Sequence, residues 1–234
     1  MTIKILLKSL GKSSKNLKKR LFRWLKKPVD EKIFSLTNRF NKAMDLVSER
    51  AKGLDFQGNI PNEELITEYS TSLPHASAYM GCSSVQLISL IKKAKKNGIQ
   101  FENLIDIGSG KGKICFYSAK KFSFKKIIGI EFSHPLVDIA KANFQKLKYD
   151  NVEFLCMDAL DYHLPKAANL VLMFNPFDSV IMGKFITNNI EHFKEYGSMI
   201  IYINDLYRDT LSGLGFKIIF RNSTTKDSLF EHVN

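Results

Sequence analysis

The 234-residue chain has little cysteine, few prolines and glycines, and no long apolar segment. Its three cysteines are an odd number without a Cys-x-x-Cys pair, which excludes a disulfide framework and a zinc ribbon. Because no run of 18 apolar residues is present, no transmembrane helix is predicted. Thirteen glycines and six prolines exclude a collagen-like or low-complexity chain. The composition instead predicts one globular domain with a short appendage.

Cysteine usage also bears on location. The three cysteines have apolar neighbours, so each is predicted to be a small core residue: Cys82, Cys115 and Cys156. Unpaired cysteines are typical of a reducing compartment, which predicts a cytoplasmic protein.

Acidic residues are absent from the first 28 positions, which hold eight lysines and two arginines. The rest of the chain carries 25 basic and 23 acidic residues, so the positive charge belongs to residues 1–28, here named the basic arm. Its apolar residues fall at helical spacing: Leu17, Leu21, Trp24 and Leu25. This pattern predicts a basic amphipathic helix. Through residues 4–27 it could contact a membrane surface at the inner face, bind phosphates, or pack on the domain.

Apolar periodicity predicts helices over residues 34–52 and 83–97. From residue 103 onward, short apolar strands alternate with helices, among them a single helix over residues 179–193. This alternation predicts a parallel sheet covered by helices. The last two strands, FKIIFRN and SLFEHV, are separated by about five polar residues and predict a hairpin.

Three regions are therefore predicted: the basic arm over 1–28, a helical extension over 29–98, and an α/β domain over 99–234. The α/β domain is expected to contain seven strands, most of them parallel, with an antiparallel closing pair.

A glycine-rich segment follows the first strand of this domain and opens the next helix. Gly108, Gly110 and Gly112 alternate with other residues there, and glycine lets a ligand approach the backbone closely. Glu131 ends the second strand, where a carboxylate can accept hydrogen bonds from two ribose hydroxyls. The pair predicts a site for a cofactor that contains a nucleoside.

The glycine spacing and a nearby acid distinguish between two cofactors. The spacing is G-x-G-x-G, whereas dinucleotide sites have G-x-G-x-x-G. Asp106 precedes the first glycine by two positions, and its charge suits a cationic amino-acid tail better than a pyrophosphate. Both observations favour S-adenosylmethionine over NAD.

The two motifs, D-I-G-S-G-K-G and I-I-G-I-E-F-S, resemble those of the class I (Rossmann-like) S-adenosylmethionine-dependent methyltransferases. The resemblance covers roughly residues 75–234. It implies a doubly wound α/β fold with a seven-stranded, mostly parallel sheet in the order 3-2-1-4-5-7-6. The seventh strand is then antiparallel, in agreement with the predicted hairpin.

The same resemblance implies a set of cofactor-binding residues: Asp106, Gly108, Ser109, Gly110, Gly112, Glu131, Phe132, Asp158, Ala159 and Asn175. By position, Asp106 and Gly108 would lie near the methionine moiety and Glu131 would hold the ribose. Phe132 would flank the adenine, and Asp158 would bond to its amino group. Asp158 could also cap a helix, and the two roles are compatible.

Asn175, Pro176 and Phe177 end the fourth strand and are the predicted catalytic residues. They resemble the N/D-P-P-Y/F signature of methyltransferases that act on amine or amide nitrogen. In that signature the Asn side chain and a proline carbonyl accept hydrogen bonds from the nitrogen, and the ring stacks on it. This chain has one proline, so Phe177 comes one residue early and Asp178 takes the aromatic position. A plain Asn-Pro turn is the alternative interpretation.

Similar methyltransferases also have a tyrosine-containing segment that covers the cofactor, for which Tyr69 and Tyr79 are both candidates. The five histidines show no metal-ligand spacing, so no metal is expected.

The leading hypothesis is methyl transfer to an unidentified acceptor. A protein (lysine) nitrogen is one candidate, because the paired motifs are partly similar to those of the non-SET histone lysine methyltransferases. RNA and a cell-envelope saccharide or lipid are further candidates. A module that binds S-adenosylmethionine without catalysis is the second class of function, and a nicotinamide-dependent oxidoreductase is the third. The glycine spacing argues against the oxidoreductase.

Overall fold

The computed structural model describes residues 29–233. The chain divides into two compact units, residues 1–41 and residues 42–234. In the first unit the described residues, 29–41, are helical. The basic arm lies outside the described residues, so its amphipathic helix stays a prediction. The boundaries expected at residues 28 and 98 also stay predictions.

The elements before the large sheet are short except for two helices. They are α1 (Val29–Ala51), β1 (Asn59–Ile60), β2 (Tyr79–Met80) and α2 (Ser84–Lys95). Strands β1 and β2 pair antiparallel, and the residues between them include 3₁₀ turns at Asn62–Glu64 and Leu73–His75. The two helices predicted in this region are therefore present.

The α/β part follows the predicted alternation of strands and helices. Its elements are β3 (Asn103–Ile107), α3 (Lys113–Lys121), β4 (Lys126–Glu131), α4 (His134–Gln145), β5 (Val152–Cys156), β6 (Asn169–Phe174), α5 (Ser179–Asn188), α6 (Ile190–Tyr196), β7 (Met199–Ile203), α7 (Arg208–Gly213), β8 (Phe216–Asn222) and β9 (Asp227–His232). A 3₁₀ turn at Ala159–Asp161 follows β5.

The seven-stranded sheet has the order β5-β4-β3-β6-β7-β9-β8. Neighbouring strands are parallel except at β9, which is antiparallel to both β7 and β8. Counted from β3, this is the order 3-2-1-4-5-7-6. The predicted Rossmann-like fold and its closing hairpin are confirmed.

Helices cover both faces of this sheet, which explains the continuous apolar character of its central strands. On β3, Leu104 packs in one core layer with Ile114 of α3. The alternate residue Ile105 packs in the other layer with Ile181 of α5. A doubly wound sheet of this kind opens a crevice where the strand order reverses, here between β3 and its neighbours β4 and β6.

The single helix predicted over residues 179–193 is wrong, because the chain breaks between α5 and α6. Asn189 is buried at the break, and its Nδ2 donates to the carbonyl oxygens of Phe185 and Tyr162. Its Oδ1 accepts from the backbone N–H of Leu164. An asparagine side chain that bonds to backbone groups in this way competes with the helical hydrogen bonds.

The expectation that all three cysteines belong to the core is also wrong in one case. Cys82 and Cys115 are buried, whereas Cys156 is exposed. Cys156 ends β5, which is an edge strand of the sheet and has a neighbour on one side only.

Candidate functional site

A cleft of about 160 Å³ lies at the carboxyl ends of β3, β4 and β6, at the reversal of strand order. Most of the predicted site residues line it: Gly108, Ser109, Glu131, Phe132, Asp158, Ala159, Asn175, Pro176 and Phe177. Asp106, Gly110 and Gly112 are buried and do not line the cleft.

Neighbouring side chains pack closely against the glycine-rich segment, which also borders the cleft. Gly110 has a φ of 52°, and a Cβ there would collide with the ring of Tyr79. Gly108 has a φ of 76°, and a Cβ there would come within 2.5 Å of Pro176 Cβ. Both positions therefore require glycine, since a larger residue meets strain and overlap together.

Tyr79 connects this segment to the residues before the sheet. Its hydroxyl donates to the carbonyl oxygen of Phe56 over 2.8 Å, and the residue lines the cleft. Tyr69, the other tyrosine considered from the sequence, does not line the cleft. Tyr79 is therefore the better candidate for the covering residue.

Glu131 lies at the end of β4 and bonds to the glycine segment. Its Oε2 accepts from the backbone N–H of Gly110 over 2.9 Å, and its Oε1 accepts from that of Ser133 over 3.0 Å. Burial raises the pKa of Glu131, although these N–H bonds oppose the shift. The carboxylate thus lines the cleft in a fixed orientation, with lone pairs left for a ligand.

Two polar atoms beside Glu131 have no hydrogen-bond partner, and both are buried. Asp106 is fully buried, its Oδ2 lies 3.6 Å from Cys115 Sγ, and its Oδ1 is without a partner. Ser109 lines the cleft, and its buried Oγ is likewise without a partner. Buried polar atoms are normally bonded, and of these two residues only Ser109 lines the cleft.

Burial raises the pKa of Asp106 to about 8. The folded protein therefore binds a proton more tightly than the unfolded chain, whose carboxyl has a pKa of 3.8. The contribution of Asp106 to stability is accordingly greatest below pH 3.8 and falls as pH rises toward 8, by up to about 1.4 kcal/mol per unit. We expect the Asp106→Asn variant to lack this fall in stability with rising pH.

Urea denaturation at about pH 5 and about pH 8 measures the effect. The variant gains stability relative to the wild type at the higher pH. If the free energies of unfolding of variant and wild type differed by the same amount at both pH values, the raised pKa of Asp106 would be contradicted.

Asp158 follows β5 and caps the 3₁₀ turn after it. Its Oδ1 accepts from the backbone N–H of Leu160 over 2.9 Å. Because Asp158 also lines the cleft, the capping role and a ligand role remain compatible. Next to it, the carbonyl oxygen of Phe132 accepts from Thr67 Oγ1 over 2.8 Å.

At the other end of the cleft, Asn175 has a φ of 41°, a left-handed conformation that is uncommon outside glycine. Its Oδ1 accepts from the hydroxyl of Tyr202 over 2.8 Å. The carbonyl oxygen of Pro176 accepts from the backbone N–H of Ser77 over 2.9 Å. The two acceptor atoms of the Asn-Pro pair are thus already bonded within the protein.

Phe177 and Asp178 have structural contacts beside this pair. Phe177 is buried, and its ring lies 6.4 Å from that of Phe185. Asp178 caps α5 through Oδ1 and pairs with His75 Nδ1 through Oδ2 over 2.7 Å. Although burial opposes it, the hydrogen bond from His75 holds the pKa of Asp178 below its ordinary value.

A buried ionic cluster joins α1 to the start of α3. Lys113 Nζ lies 2.9 Å from Glu49 Oε1, which also accepts from the hydroxyl of Tyr117 over 3.0 Å. The side chain of Glu49 is 0% exposed and that of Lys113 is 8% exposed. Nearby, Lys111 Nζ pairs with Asp55 over 2.9 Å. Residues 42–57 are therefore bonded to the glycine-rich segment through its lysines.

Sequence reasoning did not identify Tyr202, Ser77, Lys113 or Glu49 as parts of this site. Local spacing carries no signal for them, because Tyr202 and Ser77 reach the Asn-Pro pair from distant positions in the chain. Among the residues that the structure describes, no group of three or more His, Cys, Asp or Glu side chains could hold a metal ion.

Comparisons with known proteins agree with this architecture. Two crystal structures each superpose with a TM-score of 0.51: magnesium protoporphyrin IX methyltransferase from Synechocystis PCC 6803 with bound SAM, and TrmN from Thermus thermophilus. The first is 15% identical and covers 64% of this chain and 79% of its own. The second is 13% identical and covers 65% of this chain and 49% of its own. At these identities the likeness shows the fold alone.

Sequence comparisons identify the family. A release factor glutamine methyltransferase from Buchnera aphidicola subsp. Schizaphis graminum (strain Sg) is 27% identical over 131 residues, which are 54% of this chain. This chain spans only 45% of the length of that relative. Residues 100–227 match the family model described as a methyltransferase domain. Since this match covers more than half of the chain, the protein belongs to the methyltransferase-domain family.

Proposed function

We propose that the chain transfers a methyl group from S-adenosylmethionine to an acceptor at the Asn175 end of the cleft. One observation carries the proposal: a single cleft at the strand-order reversal is lined by Glu131 and Asp158 at one end and by Asn175 and Pro176 at the other. A cofactor and an acceptor bound in it would lie side by side, as group transfer requires.

The residues present fit this cofactor. Glu131 lines the cleft with lone pairs available for ribose hydroxyls, and Asp158, which lines the same cleft, would accept a hydrogen bond from the adenine amino group. Ser109 lines the cleft and would bond to the polar amino-acid end, whereas Asp106, whose Oδ1 has no partner, is buried and does not line the cleft. When bound, S-adenosylmethionine supplies an electrophilic methyl group on a sulfonium.

The chain's own contribution is orientation. Asn175, Pro176 and Phe177 would position the acceptor, and the buried surroundings of the cleft would exclude water. Positioning and electrostatics supply most of the acceleration when the acceptor is already nucleophilic. No acid–base triad is therefore needed.

The candidates for the methyl acceptor belong to several chemical classes. The Buchnera relative is named for glutamine, which favours a protein nitrogen and keeps lysine as a candidate. RNA and an envelope saccharide or lipid remain alternatives. The function that we propose requires only that an acceptor bind beside the cofactor.

The basic arm would localise the enzyme by contacting a membrane surface or phosphates through residues 4–27. No helix within residues 29–233 combines the length and the apolar character needed to cross a bilayer. A cytoplasmic enzyme that associates peripherally with the inner membrane face is our proposal. We also retain the boundaries 1–28, 29–98 and 99–234.

Thermal unfolding with S-adenosylhomocysteine and with NAD in separate samples tests the cofactor assignment. A ligand at 100 times its dissociation constant stabilises the folded state by about 2.7 kcal/mol. We expect a raised melting temperature with S-adenosylhomocysteine and none with NAD. Protection by NAD alone would favour the oxidoreductase and contradict the proposal.

A further inference from the structure

Three residues other than glycine have a left-handed backbone in the part of the chain that the structure describes. They are Asn175, Asn204 and Lys226, with φ values of 41°, 56° and 55°. This conformation is uncommon for residues that carry a Cβ, and such backbone strain clusters at functional sites. Asn175 and Asn204 line the cleft, whereas Lys226 does not. Asn204 is therefore a cleft residue with an unusual backbone and without a role in the proposed function.

The order of the strands places Asn204 beyond Asn175, on the side away from the proposed cofactor. Asn175 follows β6 and Asn204 follows β7, and the ends of these two strands are paired at Phe174 and Ile203. The residues proposed to hold the cofactor come at the carboxyl ends of β3, β4 and β5, which lie on the other side of β6. Because neighbouring strands are about 4.8 Å apart, Asn204 lies roughly one strand spacing farther from the cofactor than Asn175 does.

Bonds made by Asp205 fix the backbone next to Asn204. The Asp205 carboxylate pairs with Arg221 Nε over 2.7 Å and accepts from the hydroxyl of Ser228. Its backbone N–H donates to the carbonyl oxygen of Lys226 over 2.7 Å. Asp205 is fully buried, so water does not compete for these bonds. A strained conformation persists where the surrounding structure imposes it in this way.

The amide of Asn204 is a group that a turn alone would not need. Glycine adopts a left-handed conformation without strain, and asparagine tolerates it better than most residues that have a side chain. The amide carries two hydrogen-bond donors and an acceptor oxygen, so it can bond to polar groups of many kinds. Asn204 is half-buried and lines the cleft, which leaves part of the residue accessible to a ligand.

We propose that Asn204 binds the methyl acceptor through its side-chain amide, on the side of Asn175 that faces away from the cofactor. The inference rests on the proposed function. The role is one of binding, and Asn204 forms and breaks no covalent bond. Since the residue lies beyond Asn175, its loss should weaken binding of the methyl acceptor and leave binding of the cofactor unchanged.

Asn204→Gly tests this role, because it removes the amide without adding backbone strain. The full chain is incubated with methyl-labelled S-adenosylmethionine and an extract of its source cells. At low extract concentration we expect about a tenfold drop in transferred label, as the loss of hydrogen bonds to a ligand produces. The drop should shrink as the extract concentration rises, because weaker binding of the methyl acceptor raises KM and leaves kcat nearly unchanged.

Two further readouts separate acceptor binding from cofactor binding and from folding. Affinity for S-adenosylhomocysteine, measured by calorimetric titration, should equal that of the wild type. The melting temperature should also stay close to the wild-type value, because relief of strain offsets the added freedom of the unfolded chain. A loss of affinity for S-adenosylhomocysteine in Asn204→Gly would assign the residue to the cofactor end and overturn the proposal.

Lys226→Gly is the matched control. It removes a side chain at nearly the same φ, but from a residue that does not line the cleft. We expect this variant to transfer label as the wild type does. An equal loss of transfer in both glycine variants would overturn the proposal, since relief of backbone strain would then explain it.

The wild-type chain distinguishes failure of this inference from failure of the proposed function. Absence of S-adenosylhomocysteine binding, or binding without transfer of label to any component of the extract, overturns the proposed function and the role of Asn204 with it. Transfer of label by the wild type that Asn204→Gly does not lower overturns the role of Asn204 alone.

Discussion

We expect Glu131→Ala to lower the affinity for S-adenosylhomocysteine by about 10²- to 10⁴-fold, because each hydrogen bond to a charged group contributes ~1.5–3 kcal/mol. Two ribose hydroxyls would lose their acceptor. The variant also leaves the backbone N–H groups of Gly110 and Ser133 without the carboxylate that orients them. Calorimetric titration of the folded variant measures the loss.

Two further variants test whether the loss of affinity is specific to the Glu131 carboxylate. Glu131→Gln keeps the shape of the side chain, but its single oxygen cannot accept from both backbone N–H groups, so most of the loss should persist. Glu153→Ala removes an exposed glutamate from the neighbouring strand β5 and should leave the affinity unchanged. If Glu131→Ala bound like Glu153→Ala, Glu131 would not belong to the cofactor site.

Glu49→Ala should lower the free energy of unfolding by about 3 kcal/mol, the lower end of the range for a broken buried pair, because it leaves the buried charge of Lys113 with only Asp45, 3.8 Å away. The hydroxyl of Tyr117 and the side-chain amide of Gln57 lose their acceptor as well. Urea denaturation measures this change. The control is Glu191→Ala, which removes an exposed pair with Lys194 that contributes at most about 1 kcal/mol.

A double variant distinguishes the charge from the packing at this position. Glu49→Leu combined with Lys113→Met replaces the ion pair with apolar groups of similar size, which is often close to neutral. We expect the double variant to recover part of the stability that Glu49→Ala loses, since Tyr117 and Gln57 still lack their acceptor. A small loss in Glu49→Ala would contradict the view that residues 42–57 are bonded firmly to the glycine-rich segment.

Features encoded in adjacent residues were predictable from the sequence. The alternation of strands and helices predicted a parallel sheet covered by helices with a closing hairpin, whereas the order of the strands was implied by the resemblance to the class I methyltransferases. Gly108, Gly110 and Gly112 follow a strand directly, so their local spacing sufficed to predict a ligand-binding segment. Glu131, which lines the cleft, was a candidate from the sequence because it ends the next strand.

Features that depend on distant residues were not predictable. The pair of Asn175 with Tyr202 and the pair of Pro176 with Ser77 arise only when strands and loops meet in the fold. The break at Asn189 was missed because the apolar periodicity continues through it, while its side chain bonds to backbone groups of two elements. Hydrophobic spacing reports burial, and it does not report which polar atoms pair.

Calorimetric titration of the purified full chain with S-adenosylhomocysteine tests the central claim most directly. The account predicts micromolar binding at one site per chain, and no binding in Gly110→Arg, whose side chain would overlap the ring of Tyr79. Circular dichroism of both proteins verifies that they are folded. A folded wild-type chain that fails to bind S-adenosylhomocysteine would contradict the account.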